Sequence, residues 1–419
     1  MRQFAYKILE QEAFALYSRL QRVKPFSITE TMVPAASVSV LAQRRVDSYL
    51  GKGRLRLKQL ITDYILWLRK SYQQDTSISV AQRRFTHLRL KFNAVLSQFD
   101  IYSDVYTQRS EHETGIWLGG LDALAEDALQ IETMQRRPPM ICYLERGPGA
   151  AIRRAKTRLP GGGRNPVAII RVPRERMIGS GIASSVVHEV GHQGAALLNL
   201  VDSLKAGMHS MQTIQNKHQT AWKLWSLWTS EIVADLWAIN RLGVIATMGL
   251  IGVLSLPRPF VFRINTNDPH PFPWIRVILS CRMGAQIYPD KQWQRIEQLW
   301  MDLYPISNVD TQSRKIINIL LDTADSFTDL IINKRFYSLK GKRLIDCLGA
   351  ESRQPDQLRS LWNEIENKSI EITNMKPTLA FSVLGQAKVD NKLLASNEGK
   401  IISTLLRDWA VRRAMTCKC

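Results

Sequence analysis

The sequence predicts a mainly α protein that carries one small sheet, an α+β arrangement. Three observations support this. Apolar residues recur at three- and four-residue spacing over most of the chain. Only two short segments, MICYLE (140–145) and PVAIIRVP (166–173), are apolar and β-branched in the manner of strands. No internal repeat, heptad array or low-complexity tract interrupts the pattern. The 419 residues exceed what one small core needs, so two or three packed units are expected. With 45% hydrophobic and 22% charged residues, the chain is not disordered, collagenous or stapled by disulfides.

From Met1 to about Arg137 the periodicity is helical. Segments 38–70 and 79–99 place Arg and Lys between regularly spaced apolar residues. Residues 115–134 read as a further helix, its first part broken by Gly119 and Gly120. Two prolines in RRPPM (136–140) mark a boundary, because proline cannot continue a helix. This divides the chain into an N-terminal helical region (1–138), a core unit (139–290) and a C-terminal helical region (291–419). The Gly-, Pro- and Arg-rich stretch 147–166 reads as a flexible surface loop. Its Gly161-Gly162-Gly163 run lacks the Gly-Lys-Ser/Thr ending of a phosphate-binding loop.

Helical periodicity resumes over 180–204 and again from Gln219, where Trp222, Trp225, Trp228 and Trp237 read as core. Residues 242–256 form an uncharged apolar run bounded by Arg241 and Arg258. A bilayer needs about 20 such residues, so this run reads as a buried helix. From Gln292 onward the chain is again mainly helical.

Lys plus Arg (57) exceed Asp plus Glu (37), giving a net charge of +20. Such a surplus attracts anionic partners, nucleic acid or a membrane surface among them, and says nothing about fold. The five cysteines are scattered without a CxxC pair, so neither a disulfide framework nor a Cys-type zinc site is indicated. The Cys417-Lys418-Cys419 ending is like that of some prenylated GTPases, but nothing else here is, and lipidation is not expected. Without a signal peptide's continuous apolar core, a soluble protein of the reducing cytoplasm is expected. Delivery outside the cell by a non-classical route remains compatible with the sequence.

The chemistry concentrates in His188-Glu189-Val190-Gly191-His192. On a helix, residues i and i+4 share one face, so both imidazoles reach one cation, while Glu189 sits beside them. With seven His and seventeen Glu, chance yields this H-E-x-x-H pattern on the order of 0.5% of the time, so the match carries weight. The flanking residues are apolar, and burying two histidines there is costly unless they gain a partner. Strand 166–173 precedes the motif directly, which suggests an edge strand where an extended peptide could pair. Gly191 lacks a side chain that would keep another element away.

A catalytic zinc takes three protein ligands. Glu231 and Asp235 are again i and i+4, so Glu231 is expected to ligate the metal. Asp235 would then accept the outer N–H of a ligand histidine. His209 and His218 are the alternatives to Glu231, ranked lower because 208–220 reads as an exposed loop.

HEVGH followed by Glu-x-x-Ala-Asp (Glu231, Ala234, Asp235) resembles the gluzincin metallopeptidases. The closest pattern is that of the membrane zinc proteases of the CAAX-processing and heat-shock type. Those carry a downstream His-Pro with Arg six residues after the His, as do His270, Pro271 and Arg276 here. The resemblance covers about residues 166–280 and implies a zincin-like core with helical flanks. It further implies that His270 and Arg276 stabilise the oxyanion or hold substrate. Unlike those relatives, this chain shows no convincing membrane spans, and the 38 residues between His192 and Glu231 are few.

The expectation is a zinc-dependent endopeptidase, Zn2+ its cofactor and a protein or peptide its substrate. Glu189 would be its general base. Two rivals stand beside it: a basic nucleic-acid-associated protein, with or without protease activity, and a non-catalytic interaction protein with a vestigial zinc site.

Overall fold

Residues 1–134, 136–147, 149–174, 179–214 and 218–416 are described by a computed structural model. Three helices come first: α1 (Arg2–Arg22), α2 (Val40–Gln73) and α3 (Ile78–Thr107). Their apolar stripes meet, with Leu57, Ile61 and Leu68 of α2 and Phe85 and Phe92 of α3 buried between them. Helix α4 (His112–Ala128) then leads into the sheet.

The sheet has three strands, β1 (Met140–Glu145), β2 (Ala151–Arg153) and β3 (Ala168–Pro173), in the order β1-β3-β2. β1 runs parallel to β3 and β2 antiparallel to it. Alternation along the strands sorts side chains to two faces. Met140, Cys142, Leu144, Ala168, Ile170 and Val172 enter the larger core. Ile141 and Ile169 instead enter the smaller core built by α1, α2 and α3. The sheet is therefore the wall shared by two hydrophobic clusters.

Twelve further helices follow among the described residues. They are α5 (Gly181–Leu197), α6 (Leu200–Ile214), α7 (Gln219–Leu242), α8 (Val244–Leu254), α9 (Arg258–Val261) and α10 (Pro273–Ile287). After them come α11 (Gln292–Leu303), α12 (Thr311–Asn333), α13 (Leu344–Cys347), α14 (Pro355–Glu366), α15 (Pro377–Val389) and α16 (Ala395–Thr416). The fold is mainly α with a small sheet, as the sequence predicts. Helix α16 returns to α4, so Leu121 and Leu406 share one core with the buried faces of α5 and α7.

Several local expectations change. Strand β3 is the central strand, and the edges are β1 and β2, the latter inside the stretch read as a flexible loop. Three residues are too short for a period-two signal to register. Gly119 and Gly120 do not break α4. A Cβ at Gly120 would lie 2.4 Å from the Leu406 carbonyl oxygen, so its absence admits α16. Residues 208–214 continue α6 rather than forming a loop, because Leu204 and Met208 are buried. Residues 215–217 lie outside the described residues, as do Cys417 and Cys419.

No helix among the described residues is long and apolar enough to cross a membrane. Helix α8 is buried over its first half, while Leu250, Ile251, Val253 and Leu254 are half-exposed. All four tryptophans of α7 are completely buried, which removes them as stacking platforms for bases. Cys142, Cys281 and Cys347 are free thiols.

One buried ion pair joins the layers. Arg109 and Asp122 are both fully buried, with Nη1 and Nη2 of the arginine 3.0 and 3.1 Å from the carboxylate oxygens. Asp122 Oδ1 also accepts the Cys142 N–H of β1 at 2.7 Å. Asp122→Ala would strand a buried guanidinium, a change that costs about 3–5 kcal/mol. Urea unfolding should show a loss of that size, and a loss below about 1 kcal/mol would refute the pair's role.

Candidate metal centre

Helix α5 carries the histidines and α7 the acids, and the two pack at backbone distance. A Cβ on Gly191 would sit 2.9 Å from Ala234 Cα and 3.0 Å from both the Ala234 oxygen and Trp237 Cβ. Gly194, one turn on, faces the Trp237 ring as closely. Helix α7 is held in place by its far end, where Trp237 Nε1 and Arg241 Nε both donate to the Ala128 carbonyl that ends α4. The start of α5 is tied to α16 through Glu398, which accepts the Ser180 N–H at 3.0 Å and pairs with Lys388. Ser184 Oγ donates to the Ala246 carbonyl, fixing α5 on α8.

This docking brings three donor atoms together. His188 Nε2 lies 3.4 Å from one Glu231 oxygen, and His192 Nε2 lies 3.3 Å from the other. Ligand atoms of the three residues all fall within 4.8 Å of one another. Zinc bonds of about 2.0–2.2 Å in tetrahedral geometry place neighbouring donors about 3.4 Å apart; the two His–Glu231 spacings match this, and the three side chains need draw together only slightly from within 4.8 Å. Two imidazoles and one carboxylate are also a donor set that suits zinc. The residues fit the metal.

Around them stands a charged shell. His188 Nδ1 is 2.8 Å from Asp235 Oδ1, so the ring's other nitrogen is fixed as the sequence reading of Asp235 expected. Arg276 of α10 grips Asp235 with Nε at 2.7 Å and Nη2 at 2.9 Å, and reaches Glu231 at 3.4 Å. Burial pulls the His188 pKa down, but the charge and hydrogen bond of Asp235, with Glu231, override it and raise it to about 9. Burial works against ionisation of Glu231 too, yet hydrogen bonds from both histidines and the Arg276 charge hold it well below the usual carboxylate range. Asp235 is depressed likewise, chiefly by Arg276 and His188 once burial is overcome. A cation at the centre would take the place of the proton on His188.

Glu189 is buried and lines the same cavity, and its side chain makes no hydrogen bond to another described residue. His270 stands at the rim, 58% exposed, with Nε2 3.7 Å from Glu231 and Nδ1 2.8 Å from Asp268. Trp228 Nε1 donates to the Asp268 carbonyl and anchors that loop. His209 is on α6 and exposed, and His218 approaches Asp322 at 3.8 Å, so neither joins the cluster.

The cavity, about 190 Å³, is polar at the histidines and apolar at its α8 end, where Ala246, Leu250, Val253 and Leu254 line it. Gly149 and Ala150, at the start of edge strand β2, form part of its wall. Gln193 of α5 accepts the Ala155 N–H at 2.7 Å, which holds the strand's other end against the histidine helix. Sequence reasoning missed Gln193, Ser184 and this strand; a glutamine one residue after His192 carries no pattern of its own. Compared with known protein families, curated proteins and solved structures, the chain matches none of them.

Gly191→Ala tests the docking. Alanine favours the isolated helix by about 1 kcal/mol, so any loss reports the contact with α7. Overpacking of this kind costs about 1–3 kcal/mol, and zinc affinity should fall at least about tenfold with helical content retained. Unchanged zinc affinity in a calorimetric titration would contradict the packing argument.

Proposed function

We propose that the protein is a zinc-dependent peptidase of the cytoplasm that cuts peptide bonds beside an apolar side chain. The observation that carries this reading is the convergence of His188, His192 and Glu231 next to a buried carboxylate, Glu189, without a hydrogen-bond partner among the described residues. His188, His192 and Glu231 would hold the zinc. Zinc bound there supplies Lewis acidity toward the scissile carbonyl and makes water a better acid. Glu189 takes a proton from the attacking water and passes it to the departing amine. Asp235 keeps His188 in the tautomer that presents Nε2 to the centre.

Arg276 has a part in this reading beyond the oxyanion or substrate contact that the family resemblance implies. Two hydrogen bonds hold it to Asp235, and there it balances the charge of two buried acids. His270, exposed at the rim, is the group within reach of a bound substrate. Strand β2 offers the free sheet edge on which an extended peptide can lie, and its neighbours Gly149 and Ala150 already wall the cavity. The apolar α8 end then receives a side chain next to the cut.

The test is zinc content, folding and turnover measured on the same samples. Glu189→Gln should keep stoichiometric zinc and its melting temperature while losing at least about 10²–10⁴ of the turnover of a peptide found by proteome-wide cleavage. His188→Ala should lose zinc as well as turnover. Cleavage sites should share an apolar residue beside the cut. Full turnover in Glu189→Gln contradicts the mechanism, and zinc without turnover in the parent protein marks a vestigial site.

A further inference from the structure

A second cleft lies on the other cluster, away from the histidines. It measures about 570 Å³ and sits between α2 and the β2–β3 connection. Six cations line it: Arg44, Arg45, Lys52 and Arg56 from α2, and Lys156 and Arg164 from the connection. No carboxylate is among its lining residues. All six side chains are exposed, and none forms an ion pair with another described residue. Arg359, by contrast, contacts Asp290, Asp356 and Asp390.

The concentration of charge has a cost. Lys52 and Arg56 are like charges at i and i+4, which destabilises a helix by about 0.2–0.5 kcal/mol. The backbone is strained as well. Lys156 has a φ of 67°, a left-handed conformation that side chains disfavour. Gly161, Gly162 and Gly163 follow with φ of 80°, 100° and 87°. A Cβ at Gly162 would meet Arg56 Nη1 at 2.8 Å, and one at Gly163 would meet the Tyr49 ring at 2.9 Å. The three glycines thus let the connection close down on α2, and Lys156 is held strained at the cleft wall.

We propose that this cleft binds a compact cluster of phosphate groups, such as a free inositol polyphosphate or the headgroup of a phosphoinositide. The wall supplies six positive charges around one open cleft. Its one aromatic ring, Tyr49, is half-buried and lies against Gly163, a single ring rather than a row of stacking platforms. That composition favours several phosphates on a small scaffold over an extended nucleic acid.

The experiment is calorimetric titration of the full chain with inositol hexakisphosphate at about 150 mM salt. Each charge-assisted phosphate contact is worth about tenfold in affinity. Lys52→Glu with Arg56→Glu should therefore weaken binding at least about a hundredfold. Lys156→Gly, which suits the left-handed backbone, should weaken it about tenfold without lowering the melting temperature. Lys205→Glu with Lys223→Glu makes the same change in net charge at exposed positions of α6 and α7, and should leave affinity within about threefold. Sedimentation with phosphatidylcholine vesicles containing phosphatidylinositol 4,5-bisphosphate separates the sources. Capture that the hexakisphosphate competes away identifies a headgroup, and its absence identifies the free ligand. Equal weakening by the cleft and control pairs would overturn the proposal. So would no binding of the hexakisphosphate, or tighter binding of a 20-nucleotide single strand that the cleft variants abolish.

Discussion

The centre depends on how closely α5 can approach α7. Gly191 and Gly194 leave no Cβ between the helices, so Ala234 and Trp237 settle against backbone. Only at that separation do Glu231 oxygens stand 3.3–3.4 Å from both imidazoles. A helix pair with ordinary side chains at the contact packs about 8–10 Å between axes, and a carboxylate has little reach to spare beyond that. The rest of the larger core keeps the two helices pressed together. The Ala128 carbonyl holds Trp237 and Arg241, Glu398 holds the start of α5, and Ala246 holds Ser184.

Electrostatics complete what packing begins. Two nearly buried acids on one helix face would repel each other and resist ionisation. Arg276 sits between them, and the two histidines face them, so both carboxylates remain charged without a metal. The cluster is consequently organised before any cation arrives, with His188 already oriented by Asp235. Preorganisation of this kind lowers the cost of binding, because few side chains must still be ordered.

Much of this was legible in the sequence. Helical spacing gave α2 to within about three residues, the start of α3 and the start of α7, and the i, i+4 pairs His188/His192 and Glu231/Asp235 do meet across α5 and α7. Gly191 was readable as a point of close approach because glycine inside a helix costs stability that something must offset. The edge strand was not legible. β2 is three residues long and owes its place to pairing with β3 and to Gln193, contacts distant in sequence. Nor could spacing reveal that Arg276 is occupied by Asp235, since hydrogen-bond partners are chosen by the fold. The α4–α16 contact joins chain segments nearly 300 residues apart, and no local pattern encodes it.

The central claim is that two packed helices create one zinc site from His188, His192 and Glu231. A crystal grown with zinc, measured on both sides of the zinc absorption edge, tests it most directly. The account predicts one strong anomalous peak per chain, within about 2.0–2.2 Å of His188 Nε2, His192 Nε2 and a Glu231 oxygen. A peak held by other residues, or none at this cluster when zinc is abundant, would contradict it.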